Sequence, residues 1–146
     1  MIRVRVENNP FDCGVEIDFL GGPGIGAIAS FVGIVRGDGG LVSLTLDHYP
    51  AMTIRALQEL GEEASTRWSL DTVSIIHRVG TMAPGERIVF VGTSSAHRAA
   101  ALDGCAFLID ALKTRAPFWK QERFDDGRSG WVEAREADDR ATARWD

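Results

Sequence analysis

Two apolar runs, residues 72–79 (TVSIIHRV) and 87–93 (RIVFVGT), flank a Pro84-Gly85 turn, and no other feature constrains the fold of the chain so strongly. Both are rich in Val and Ile, which suit a pleated surface, and a Pro-Gly pair between two such runs reads as the reversal of a hairpin. Around them the chain alternates strand-like and helix-like segments, with no internal repeat and no low-complexity linker. Ile2, Val4 and Val6 alternate as in a first strand, residues 13–20 read as a short helix, and the glycine-rich stretch 21–26 as a turn. Residues 27–35 and 41–48 read as strands separated by a Gly37–Gly40 turn.

Between Met52 and Trp68 the residues Ile54, Leu57, Ala64 and Trp68 recur at helical spacing. Residues 96–114 form a longer helical pattern with Leu102, Cys105, Ile109 and Leu112 on its apolar face, Ser94 and Ser95 as capping candidates and Pro117 beyond its end. Residues 118–124 and 130–135 read as two short strands. The polar tail, 137–146, is either a docking element or a frayed helix. Trp68 and Trp131 are expected to pack. The pattern is that of an α+β or α/β protein with a mixed sheet, and 146 residues are enough for one domain, 1–146.

The charge balance narrows the function. A net charge of -5 opposes non-specific nucleic-acid binding, so any anion site must be a local concentration of cations. The N-terminus alternates like a strand and lacks the apolar region of a signal peptide, and no apolar run is long enough to span a bilayer; a cytoplasmic location without membrane association is expected. Cys13 and Cys105 show neither CxxC spacing nor a metal set and are not expected to pair, and His48 and His77 lie in strand-like segments without a ligand partner, so Cys105 and both histidines read as structural and no metal is expected. The glycines at 21–26 match neither phosphate-loop pattern.

Among the 16 cationic Lys and Arg residues only Lys113 and Lys120 are lysine. An amine, unlike a guanidinium, gives up its proton when desolvated or set beside another cation, which suits acid–base or nucleophilic work. Two neighbouring surface lysines are the plain alternative. His97 and Arg98 open a helix, where free N–H groups favour an anion and cations are otherwise unfavourable, which points to a bound phosphate or carboxylate; Arg36 ends an apolar strand beside a glycine turn, and the plain alternative for all three is a cation that simply reaches solvent.

Six blocks in order, residues 26–37 (GAIASFVGIVRG), 46–50 (LDHYP), 77–80 (HRVG), 95–98 (SAHR), 112–122 (LKTRAPFWKQE) and 131–135 (WVEAR), resemble the large, catalytic subunit family of molybdopterin synthase. Asp47 stands where that family is expected to carry Glu, and the loop 125–129 is slightly longer. The resemblance implies an α/β hammerhead-type α+β fold, with a mixed, largely antiparallel sheet and packed helices. It further implies a sulfurtransferase that turns cyclic pyranopterin monophosphate into molybdopterin. Sulfur would come from the thiocarboxylated Gly-Gly tail of a small ubiquitin-like partner, and the chain itself would hold no cofactor.

By the same resemblance Lys113 and Lys120 are catalytic, and the substrate-binding set is Ile34, Val35, Arg36, His97, Arg98, Lys113, Lys120, Gln121, Glu122 and Arg135. Glu122 shares a strand face with Lys120 and would hold it in place. One geometric expectation is independent of the family: Arg98 and Lys113 are separated by roughly 22 Å if they lie on one helix rising 1.5 Å per residue. A pterin-sized ligand does not easily touch both, so the site is expected to be composite, with His97, Arg98 and Arg135 from a second copy in a homodimer. A non-catalytic adaptor for a ubiquitin-like tail, or a phosphate-ligand acyltransferase or hydrolase, would share the cations. The adaptor would not need the lysines, and the acyltransferase or hydrolase would not need the partner.

Overall fold

A computed structural model describes residues 1–132 and 135–146. The two apolar runs form Thr72–Arg78 (β4) and Arg87–Ser95 (β6), paired antiparallel from Thr72 opposite Ser94 to His77 opposite Val89. The turn between them is more than a reversal, because Gly80–Met82 (β5) leaves the hairpin to pair with Leu41–His48 (β3) in a second sheet. Ile2–Glu7 (β1) lies parallel to β4, and Ala27–Ile34 (β2) antiparallel to β6, giving the order β1-β4-β6-β2. The second sheet, antiparallel throughout, has the order β5-β3-β7-β8, with Phe118–Phe124 as β7 and Ser129–Trp131 as β8. The expected last strand, 130–135, is thus shorter, and its positions 133 and 134 lie outside the described residues.

Both faces of the first sheet are covered, which is why every residue of β4 is buried. On one face lie the helices Pro50–Trp68 (α2) and Arg98–Arg115 (α3), whose Leu57, Leu60, Phe107 and Leu108 pack against Val73, Ile75 and Val91. Against the other face Cys13–Leu20 (α1) places Leu20 beside Ile76 and Phe90. Glu16 of α1 is buried there, yet it is satisfied: Arg5 donates to its carboxylate at 2.7 Å and Arg3 at 3.2 Å. A third cluster, Val35, Leu46, Val79 and Met82, joins the two sheets.

Four details correct the sequence reading. Of the expected apolar face of α3, Cys105 is buried and Ile109 and Leu112 pack against the core, but Leu102 is 59% exposed, and Ala101, Gly104, Leu108 and Ala111 supply the rest of the buried face; a helix with little segregation of apolar residues gives periodicity little phase to detect, and its small residues decide the approach. Ile54 of α2 likewise faces outward. Ser94 and Ser95 belong to the end of β6, so His97 is the N-cap residue, without a side-chain capping bond. Trp131 is exposed, whereas Trp68 packs on Phe107 and Trp145.

The polar tail resolves into a helix, Glu136–Ala143 (α4), anchored to α3: the Thr142 hydroxyl donates to the Asp110 carbonyl at 2.8 Å and the Trp145 indole N–H to the Asp110 carboxylate at 2.7 Å. Among the described residues no helix is long and apolar enough to cross a membrane.

Candidate functional site

The site follows from a reversal of the chain. After β6 the helix α3 runs back along the sheet toward the end where Val89 pairs with both His77 and Gly33. Lys113 lies in its last turn, where the helix dipole tolerates a cation. Pro117 then ends any helical continuation and β7 begins at once, so Lys120 returns to the same place from the second sheet. The two lysines line one cavity of about 60 Å³ with Phe31, His77, Ile109 and Phe118 among its walls. That volume suits a few waters or the end of a narrow chain, and it is far too small for a whole pterin.

The cavity changes the acidity of its groups. Burial, then the Lys113 ammonium, pulls the Lys120 pKa down from 10.5 to about 8; Arg135 acts in the same direction, while Asp138 and Glu122 oppose it. Lys120 therefore holds a proton at neutral pH that it can release at modest cost. Glu122 is the expected anionic neighbour, although no hydrogen bond joins the two among the described residues. By strand alternation Gln121 points to the opposite sheet face, opposite Thr45 and Trp131.

His77 is the residue that sequence reasoning set aside as structural, and it lines the same cavity. Its ring stacks on Phe118 with centroids 3.9 Å apart, and burial brings its pKa down from 6.5 to about 4. Above pH 6.5 neither the folded nor the unfolded chain protonates it. Below that only the unfolded chain does, so stability falls as pH drops toward 4, by about 2 kcal/mol at pH 5. Urea denaturation at pH 7 and pH 5 checks this: His77→Phe should lose about 2 kcal/mol less than wild type over that interval. A signal was available in the sequence, an imidazole on a strand whose same-face neighbours Val73 and Ile75 are aliphatic.

The other candidates are spread out. Arg36 follows β2 at the lysine end of the sheet, exposed and paired with Asp38. Ile34 is exposed, whereas Val35 is buried and both its backbone groups are engaged, its N–H with the Glu86 carbonyl and its carbonyl with the Gly85 N–H. Arg135 is exposed before α4. His97 and Arg98 lie exposed at the opposite end of α3, which runs unbroken from Arg98 to Arg115. One chain therefore brings together Lys113, Lys120 and His77, with Glu122 and Arg135 near enough to bias Lys120, and leaves His97 and Arg98 apart. Cys105 is buried and its thiol pushed up to about 11, fitting the structural reading.

The sequence pattern of the family described as MoaE protein matches residues 6–115. The chain is 49% identical to the molybdopterin synthase catalytic subunit of Pseudomonas aeruginosa, with 99% of each chain covered. It is 47% identical to that of Escherichia coli, with 98% of this chain and 97% of that one covered. Among solved structures it superposes on the molybdopterin biosynthesis MoaE protein from Burkholderia ambifaria with a TM-score of 0.87 at 45% identity, covering 99% of this chain and 98% of that one.

Proposed function

The chain belongs to the MoaE protein family, and from that membership we propose that its lysine cavity carries the sulfur transfer that converts cyclic pyranopterin monophosphate to molybdopterin. The protein is a sulfurtransferase of molybdenum cofactor biosynthesis, working with a small ubiquitin-like sulfur-carrier subunit. The observation that carries the reading is the convergence of the chain's only two lysines on one narrow cavity, with the Lys120 pKa lowered to about 8. A Gly-Gly tail is the narrowest end a protein chain can offer, which fits a cavity of about 60 Å³.

The chemistry assigns the roles. Each C–S bond forms as an oxygen substituent leaves carbon, and water then cleaves the acyl–sulfur bond to the carrier, leaving its tail as a carboxylate; the departing oxygen needs a proton, and Lys113 and Lys120 supply and recover protons there. The cyclic phosphate is held outside the narrow cavity by Arg36, His97, Arg98 and Arg135, with Ile34, Val35, Gln121 and Glu122 completing the surroundings through packing, backbone or charge. The unbroken α3 supports a composite site, with His97, Arg98 and Arg135 contributed by the second copy of a homodimer. A cytoplasmic reaction is part of this reading, in keeping with relatives that are enzymes of molybdopterin biosynthesis.

Conversion of cyclic pyranopterin monophosphate by purified protein and its thiocarboxylated partner tests the function: dithiolene product is expected, and none from a folded, partner-binding protein would leave only a docking role. Subunit mixing tests the composite site. Lys113→Ala and Arg98→Ala proteins should each be nearly inactive alone, and co-refolded they should recover about a quarter of wild-type activity, since half the dimers are mixed and each of those has one intact site. No recovery in verified mixed dimers would place all the groups on one chain.

A further inference from the structure

The imidazole of His77 is not needed by the fold in the way the rest of β4 is. Val73 and Ile75 on the same strand face are buried aliphatic residues, and a third would continue the core. Instead His77 ends the row beside Val6 and Val89 and turns a nitrogen-bearing ring toward the lysine cavity. Its tautomer is fixed by geometry. Nδ1 lies 2.9 Å from the Arg78 carbonyl oxygen, which can only accept, so Nδ1 carries the hydrogen. In the neutral ring Nε2 is then a bare acceptor, and it makes no hydrogen bond among the described residues. Among the described residues, the only donors with charge on the cavity wall are the ammonium groups of Lys113 from α3 and Lys120 from β7.

We propose that His77 is a positioning residue for the sulfur transfer: its Nε2, unbonded among the described residues, accepts a hydrogen bond when the Lys120 ammonium on the same cavity wall turns toward it, and so holds that group in the cavity. The inference rests on the reading of Lys120 as an acid–base group. A carboxylate at this place would fix the proton on lysine, and an aliphatic side chain would leave the ammonium without an acceptor. A neutral imidazole does neither: it orients the charged form and lets the proton leave. The other charges facing these two residues are Lys113 from α3, His48 from β3, Glu122 on β7, Arg135 before α4 and Asp138 within it. Of these, only Glu122 and Asp138 favour the charged lysine, and no hydrogen bond links either to it among the described residues.

Having only two lysines makes the contact directly measurable. In the full-length chain labelled with carbon-13 at the lysine ε position, two signals are expected, and Lys113→Arg assigns them. The Lys120 signal should titrate near 8 in wild type. In His77→Phe, which keeps the stacking on Phe118, the midpoint should fall by about one pH unit, because the charged form loses its acceptor. His77→Gln, whose amide oxygen reaches a similar place, should return it toward the wild-type value. A Lys120 midpoint unchanged in folded His77→Phe overturns the proposal, as does a glutamine variant that titrates like the phenylalanine one. In wild type alone, nitrogen-15 spectra of the imidazole at neutral pH should show a protonated Nδ1 and a bare Nε2, and the opposite tautomer overturns the proposal without any variant. Full turnover by Lys120→Ala would instead defeat the catalytic reading, while the titration still decides the His77–Lys120 contact.

Discussion

Replacing Lys113 by alanine is expected to lower dithiolene product formation by about two to four orders of magnitude, the usual worth of a positioned acid–base group. The side chain leaves α3 at its exposed last turn, so its removal opens no core cavity, and thermal unfolding should move little. Lys120→Arg is the sharper companion. It keeps the positive charge but not an amine that can titrate near neutrality, because a guanidinium stays protonated at any accessible pH. If charge alone matters, as in holding the phosphate or docking an anionic tail, Lys120→Arg should remain active. If proton transfer matters, it should fall with Lys113→Ala. Normal single-turnover rates in both variants, measured with saturating thiocarboxylated partner, would reduce the cavity to a docking groove.

Gly26→Ala should destabilise the fold by about 3 kcal/mol, the upper end of what overpacking costs. A β-carbon at Gly26 would stand 2.1 Å from the Ala96 carbonyl oxygen, a backbone atom that no rotamer change can move aside. The Gly26 N–H donates to the Ser95 carbonyl at 3.0 Å, so the start of β2 is fastened to the end of β6 at the point where the chain turns into α3. Forcing these apart also displaces His97 and Arg98, and the activity lost should exceed what the stability change explains. Gly24→Ala is the control: nothing lies within 4 Å of its added carbon, and its urea midpoint should match wild type. Equal midpoints for the two variants would show that the loop yields freely.

The glycine cluster shows how sequence and structure divide the information. Its composition gives a turn, and the structure has one, with the Ile25 N–H donating to the Gly22 carbonyl, but only the contact with Ala96 tells Gly26 from Gly24. The same holds for α3. Its ends were marked by Pro117 and the preceding strand, while its buried face was set by Gly104 meeting Leu70, a contact no helical periodicity contains.

Local order is what the sequence determined by itself. Strands, helices and turns appear with ends displaced by a few residues, because Val-rich runs, proline stops and glycine turns act through neighbouring residues. The scarcity of lysine marked Lys113 and Lys120 before any fold was known. Tertiary structure alone decided that β1 lies parallel to β4, that β5 leaves the hairpin for the second sheet, and that the tail helix packs on Asp110. It also decided that His77 faces the lysines. These are meetings between segments far apart in the chain, selected by which apolar faces bury one another, and a linear pattern does not encode which face finds which partner.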